Sequence, residues 1–357
     1  MREWLLRAAV RRSLADIRHV VPVRPGAARP PVSVIYRQVE REFGVLAPPV
    51  VLHSPAPDLL VACWAMLRAT LVDEGVTERR VREAVASAVS LSNRCPYCVD
   101  VHGETLRALD GGPDAAAVLA GRPDRSADPL VRTAAAWAAG SGPRPSGLDP
   151  RAVAELVGVA VTFQYVNRMV NVFLDESPLP AFAPRRVRDL LRWMLRATMR
   201  QTVARGRAGA HAGPPAGDLP AAPLPADLGW AGGHTAIQHA FAGSAVLVRA
   251  RAAAVLGADA RATVRSIVDG WDGAPPGPSR AWATDAVAGL PRADRPAARL
   301  ALLTALASYQ VDDAVVAEAG LRDADLLGLT SWASFTAARH LGTRMTVSAL
   351  PGPRAGD

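Results

Sequence analysis

The chain has 357 residues, 50% of them hydrophobic, enough for a sizeable core and more than one compact module of common size, so one large or two modest domains are expected. Disordered and collagen-like classes are excluded by the same composition. Forty-one basic residues, all arginine, against 33 acidic ones give a net charge of +8, but aromatics are only 5% and the acids are interspersed with the arginines. A nucleic-acid binder concentrates its charge around aromatic platforms, so nucleic acid is not expected as a partner.

Apolar residues three and four apart, with Ala between them and few β-branched alternations, predict an all-α fold. The first stretch, Arg2 to Arg18, reads as a helical extension; Glu3, Arg7, Arg11, Arg12 and Asp16 interrupt any apolar run, which disfavours a signal peptide. Helices then follow at 33–44, 57–73, 78–92, 96–109, 128–139, 150–173 and 184–205. Asp128-Pro129 and Asp149-Pro150 mark two starts, each placing a capping carboxylate before a proline at the first helical position. In the helix after Asp149, Val153, Leu156, Val157, Ala160, Phe163 and Val170 fall on one face and predict an amphipathic element.

Proline and glycine are densest between Gly206 and Pro225, a stretch expected to support neither helix nor core. The expected organisation is a domain over 1–205, a linker over 206–228, a second helical domain without cysteine over 229–349 and a tail over 350–357. Helices of the second set are predicted at 235–256, 258–269, 294–319 and 322–343. Residues 228–248 carry no formal charge, but Gly232, Gly233, His234, Gln238 and His239 make them a soluble helix start instead of a membrane span. LVGVAVTFQYVNRMV at 156–170 faintly echoes LLGLTSWASFTAARHL at 326–341, which suggests a degenerate repeat.

The chemistry is concentrated at 82–109. Cys95 and Cys98 form a Cys-Pro-Tyr-Cys stretch, and three cysteines in so long a chain cannot build a disulfide scaffold, so a reducing compartment, by default the cytoplasm, is expected. Pro96 at the start of a helix would place both sulfurs near its positive end, where a cysteine pKa can fall from about 8.5 toward roughly 3.5–7.5. His102, four residues after Cys98, shares its helical face and can exchange a proton with that sulfur. A peroxidase needs a nucleophilic thiolate, a proton for the departing oxygen and a second thiol to capture the sulfenic acid; Cys98, His102 and Cys95 fill those roles in order. Glu83, on the preceding Ala-rich helix, is placed to orient His102 or relay a proton.

Glu83, Cys95, Cys98 and His102 together resemble the Glu…Cys-x-x-Cys-x-x-x-His signature of the alkylhydroperoxidase AhpD family, within the carboxymuconolactone decarboxylase superfamily. The resemblance runs from about Tyr36 to about Leu174 and takes in FQYVNR at 163–168. It implies an AhpD-like helical bundle, often trimeric, acting as a thiol-dependent hydroperoxide reductase. In this reading Cys98 is peroxidatic, Cys95 resolving, and Glu83 and His102 serve a proton relay, with a hydroperoxide as substrate, a dithiol or thiol protein as reductant, and no cofactor or metal. Tyr97 stands where some members carry a histidine, so no accessory role is carried over to it.

Other readings compete. Cys-Pro-Tyr-Cys alone also fits a glutaredoxin, but that site follows a strand in a βαβ pattern and the stretch before Cys95 is helical. Zinc wants four ligands and there is no second cysteine pair. A lactone decarboxylase using Glu83 or His102 for proton transfer, and a redox-responsive interaction module, are the alternative functions. Cys63 reads as an inert core thiol, His234 and His239 as structural or exposed, and Asn167 and Arg168 as support for the family-like helix near the site, with Arg168 equally readable as a solvated or interface arginine. The basic amphipathic run from Pro184 to Arg207 reads first as a solvated face covering the core, with membrane or partner binding as alternatives.

Overall fold

The structure is a computed structural model that describes residues 14, 17–110, 112–175, 177, 185–207 and 218–347. The helix expected at Arg2 to Arg18 lies almost wholly outside the described residues, as does the tail over 350–357. Among the described residues there are helices and loops and no strand, as the periodicity predicts.

The first set of helices is α1 (Val32–Phe43), the short α2 (Pro48–Val51), α3 (Pro57–Leu67), α4 (Arg79–Ser92), α5 (Pro96–Asp110), the short α6 (Pro113–Leu119), α7 (Pro129–Ala138), α8 (Pro150–Phe173) and α9 (Arg185–Arg207). The second set is α10 (Thr235–Val255), α11 (Ala258–Asp269), α12 (Ala281–Ala286), α13 (Arg295–Ala307), α14 (Asp313–Ala319) and α15 (Asp323–Val347). Both capped starts form as expected. Asp128 accepts from the N–H groups of Leu130 and Val131 at 2.8 and 2.9 Å, and Asp149 from that of Ala152 at 2.7 Å. Each such cap contributes about 1 kcal/mol.

Several expectations are corrected. The helix predicted at 294–319 is two helices: Ala307 leaves the helical region at φ −148°, and the Asp312 side chain accepts from Val315 N–H at 3.0 Å to start α14. The helix predicted at 57–73 ends at Leu67 and continues as one wider π turn over Arg68–Val72. The proline-rich stretch, described from residue 218, does reach the core: Leu219 and Leu224 pack against it.

Helix α8 is not amphipathic. All its residues except Pro150, Arg151 and Asn171 are buried, because α4 and α3 cover it from the first set and α15 and α13 from the second. Helix α15 lies closest; a Cβ at Gly342 would collide with Val161, so only glycine permits that approach. One apolar cluster accordingly runs from Ile17 to Ala338 through both sets. Polar groups cross the seam too. Tyr165 hydroxyl bonds to His53 Nε2 at 2.8 Å and to Ser331 Oγ at 3.1 Å, and burial lowers the His53 pKa to about 4, so that ring is neutral in the core. No described helix is long and apolar enough to cross a membrane.

Candidate active site

Helices α4 and α5 are joined by a tight turn in which Arg94 adopts φ 49° and Cys95 N–H returns to the carbonyl of Ser90 at 3.0 Å. That turn folds the two helices against each other and brings Glu83, near the start of α4, alongside the first turns of α5. Glu83 Oε2 lies 2.8 Å from His102 Nδ1, and its Oε1 accepts from Arg79 Nε at 2.8 Å, one helical turn back. The Glu83 side chain is 1% exposed and His102 15%. Burial alone would raise the Glu83 carboxyl; the Arg79 guanidinium and then His102 overcome it and hold the pKa at about 2. An ionised Glu83 can only accept, so the neutral imidazole carries its proton on Nδ1 and presents Nε2 as a base. Nε2 has no hydrogen bond among the described residues. Phe163 of α8 sets its edge against the ring, with centroids 4.4 Å apart.

Both thiols are free and buried. The thiol expected to be acidified by the helix dipole is shifted the other way. Burial, and then the hydrogen bond and charge of Cys95, push Cys98 well above the ordinary thiol value. Cys98 needs a local base, and His102 faces the same cavity.

This cavity holds about 120 Å³. Its walls include Leu71, Val101 and Phe163, with Leu195 and Met199 of α9 closing one side. The basic helix, expected as a solvated face covering the core, thus also covers this cavity. Arg196 Nε approaches Glu104 at 3.3 Å and Arg200 Nε donates to the carbonyl of Ala108 at 3.3 Å, both on α5.

The structure thus brings Glu83, Cys95, Cys98 and His102 together. Sequence reasoning missed Arg79 and Phe163; the four-residue spacing of Arg79 and Glu83 on one helix was the available signal. Asn167 reaches α4, accepting from Ser90 Oγ at 3.3 Å, whereas Arg168 is 3% exposed and lines a different cavity. Cys63 is fully buried, and burial pushes its thiol up. His234 stands 3.9 Å from Glu155, whose oxygens already accept from Val76 and Thr77 N–H groups at 2.8 Å. Among the described residues no cluster of three or more His, Cys, Asp or Glu side chains could hold a metal ion.

Fold and site together define an all-helical Cys-x-x-Cys protein with a carboxylate-oriented histidine lining an apolar cavity. Residues 57–140, which contain all four site residues, match the carboxymuconolactone decarboxylase family. A Mycobacterium tuberculosis (strain ATCC 25618 / H37Rv) protein named alkyl hydroperoxide reductase Rv2159c is 40% identical over 333 residues, 92% of this chain and 94% of its own length. No solved structure matches the chain. The chain belongs to the carboxymuconolactone decarboxylase family.

Proposed function

We propose that this protein is an AhpD-like alkyl hydroperoxide reductase in which Cys98 is peroxidatic, Cys95 resolving, and His102 with Glu83 the proton relay. The observation that carries the reading is the Glu83–His102 pair opening onto the cavity that Cys98 lines. His102 Nε2 takes the Cys98 proton, and the thiolate attacks one peroxide oxygen. An S–O bond forms as the O–O bond breaks, and the imidazolium proton goes to the departing alkoxide, which leaves as alcohol. Cys95 then attacks the sulfenic acid; the disulfide forms and water leaves. The peroxide gains the two electrons that the thiols lose, and an external dithiol restores both. The apolar walls favour small alkyl hydroperoxides over hydrogen peroxide.

The finer expectations belong to the same reading. The chain works in the cytoplasm, where its free thiols persist, takes a dithiol or thiol-protein reductant, and assembles with further copies as a trimer or other oligomer. Residues 1–205 supply the redox machinery and 229–349, across the 206–228 linker, a cysteine-free second domain.

Intact-mass measurement after one equivalent of tert-butyl hydroperoxide tests the reading. Loss of two hydrogens, reversed by a dithiol, is expected. A chain whose mass is unchanged, or which gains oxygen without closing a disulfide, contradicts the assigned roles. Activity on a lactone carbon acid that survives loss of both thiols would favour decarboxylase-type proton transfer instead.

A further inference from the structure

A second cavity, of about 370 Å³, opens on the seam between the two helical sets and shares no lining residue with the thiol-lined cavity. Arg168 of α8 lines it, 3% exposed. Its Nε donates to the carbonyl of Ala305 at 2.7 Å, and Nη1 to the carbonyl and side-chain oxygens of Gln164 at 2.6 Å. All these partners are neutral. No carboxylate pairs with the guanidinium among the described residues, and Nη2 is left without a partner there. Burial with no compensating charge lowers the Arg168 pKa to about 9. A buried cation of this kind is costly unless an anion joins it.

Two further donors point the same way. Asn93 Nδ2 and Tyr309 hydroxyl, both lining the cavity, are buried and lack hydrogen-bond partners. Arg344 adds a second, exposed guanidinium. Trp271, whose ring lies 5.9 Å from the Arg168 guanidinium carbon, and Leu306 supply flat and apolar walls. The acid among the lining residues, Asp272, is exposed and accepts from Ala274 N–H at 2.8 Å.

We propose that this seam cavity is a binding site for a small organic carboxylate, its charged end held by Arg168, Asn93 and Tyr309 and its planar or apolar body lying against Trp271 and Leu306. A carboxylate offers acceptor oxygens to a cavity whose orphaned groups can donate, and its charge completes the buried guanidinium. The cavity walls are a reason to prefer it to bare phosphate, which has no body to place against an indole.

Titration with benzoate and, separately, with inorganic phosphate, followed by calorimetry and tryptophan fluorescence, tests the proposal. Saturable benzoate binding is expected, weakened about tenfold or more in Arg168→Met and by several-fold in Tyr309→Phe and Arg344→Gln. The last two keep the proposal testable should Arg168→Met fail to fold. Cys98→Ser should bind benzoate as the parent does, which separates this site from the peroxide chemistry. Absence of saturation by benzoate, benzoate binding indifferent to Tyr309→Phe and Arg344→Gln, or saturation by phosphate alone would each overturn the carboxylate assignment.

Discussion

Glu83 Oε2 and His102 Nδ1 lie 2.8 Å apart across the α4–α5 hairpin, and this pair fixes which nitrogen of the imidazole is free to act. Arg79 holds the other carboxylate oxygen, so the acid is locked from both sides. Replacing Glu83 by Gln keeps the volume but removes the charge that orients His102 and neutralises Arg79. We expect Cys98 oxidation by tert-butyl hydroperoxide to slow by roughly 10²-fold, read by stopped-flow. Stability should fall by about 3 kcal/mol, read by urea unfolding, because the largely buried Arg79 guanidinium, its side chain 12% exposed, loses its counter-charge.

The two thiols should separate kinetically. Cys98→Ser is expected to abolish peroxide consumption, whereas Cys95→Ser should still consume one equivalent and accumulate a sulfenic acid that dimedone traps. Equal labelling of both variants would reverse or dissolve the assignment.

Rate against pH discriminates burial from the helix dipole as the dominant influence on Cys98. Burial and the neighbouring Cys95 raise the thiol, so the rate of Cys98 alkylation by iodoacetamide should keep climbing through pH 9 without a plateau. A plateau below neutral pH would show the helix end winning after all.

Acid stability follows from Glu83. Its folded pKa of about 2 lies below the ordinary 4.5, so the unfolded chain takes up the proton first as pH falls. The contribution, on the order of 3 kcal/mol, is whole above about pH 4.5 and is lost as pH drops toward about 2. Urea midpoints measured from pH 6 to pH 3 should fall in the parent and fall less in Glu83→Gln.

Cavity shape should govern substrate choice. Met199, on α9, is 5% exposed and closes the thiol cavity. Met199→Ala should cost roughly 2 kcal/mol and shift the ratio of kcat/KM toward cumene hydroperoxide over tert-butyl hydroperoxide.

Much of this was legible in the letters, for local reasons. Asp-Pro starts, Cys-x-x-Cys-x-x-x-His on a proline-initiated helix, and a glutamate on the helix before it are patterns that short-range geometry turns directly into contacts. Arg79 was within the same reach, four residues from Glu83, and was passed over. What the letters could not supply depends on distant packing. The Cys98 thiol rises because the surrounding helices exclude water, and α8 is buried on all sides because α15 lies against the face that an amphipathic reading assigns to solvent. The isolation of Arg168 likewise appears only when Ala305, far along the chain, is found to be its partner in place of an acid. Short helices such as Pro113–Leu119 hold too few turns to show a period.

The enclosure of α8 also constrains how copies of this protein can join. A rod wrapped by its own chain has no side left to offer a neighbour, so any quaternary contact has to be made through outer helices. Val187, Leu190 and Trp193 on α9, all exposed, are where such a contact would first be sought.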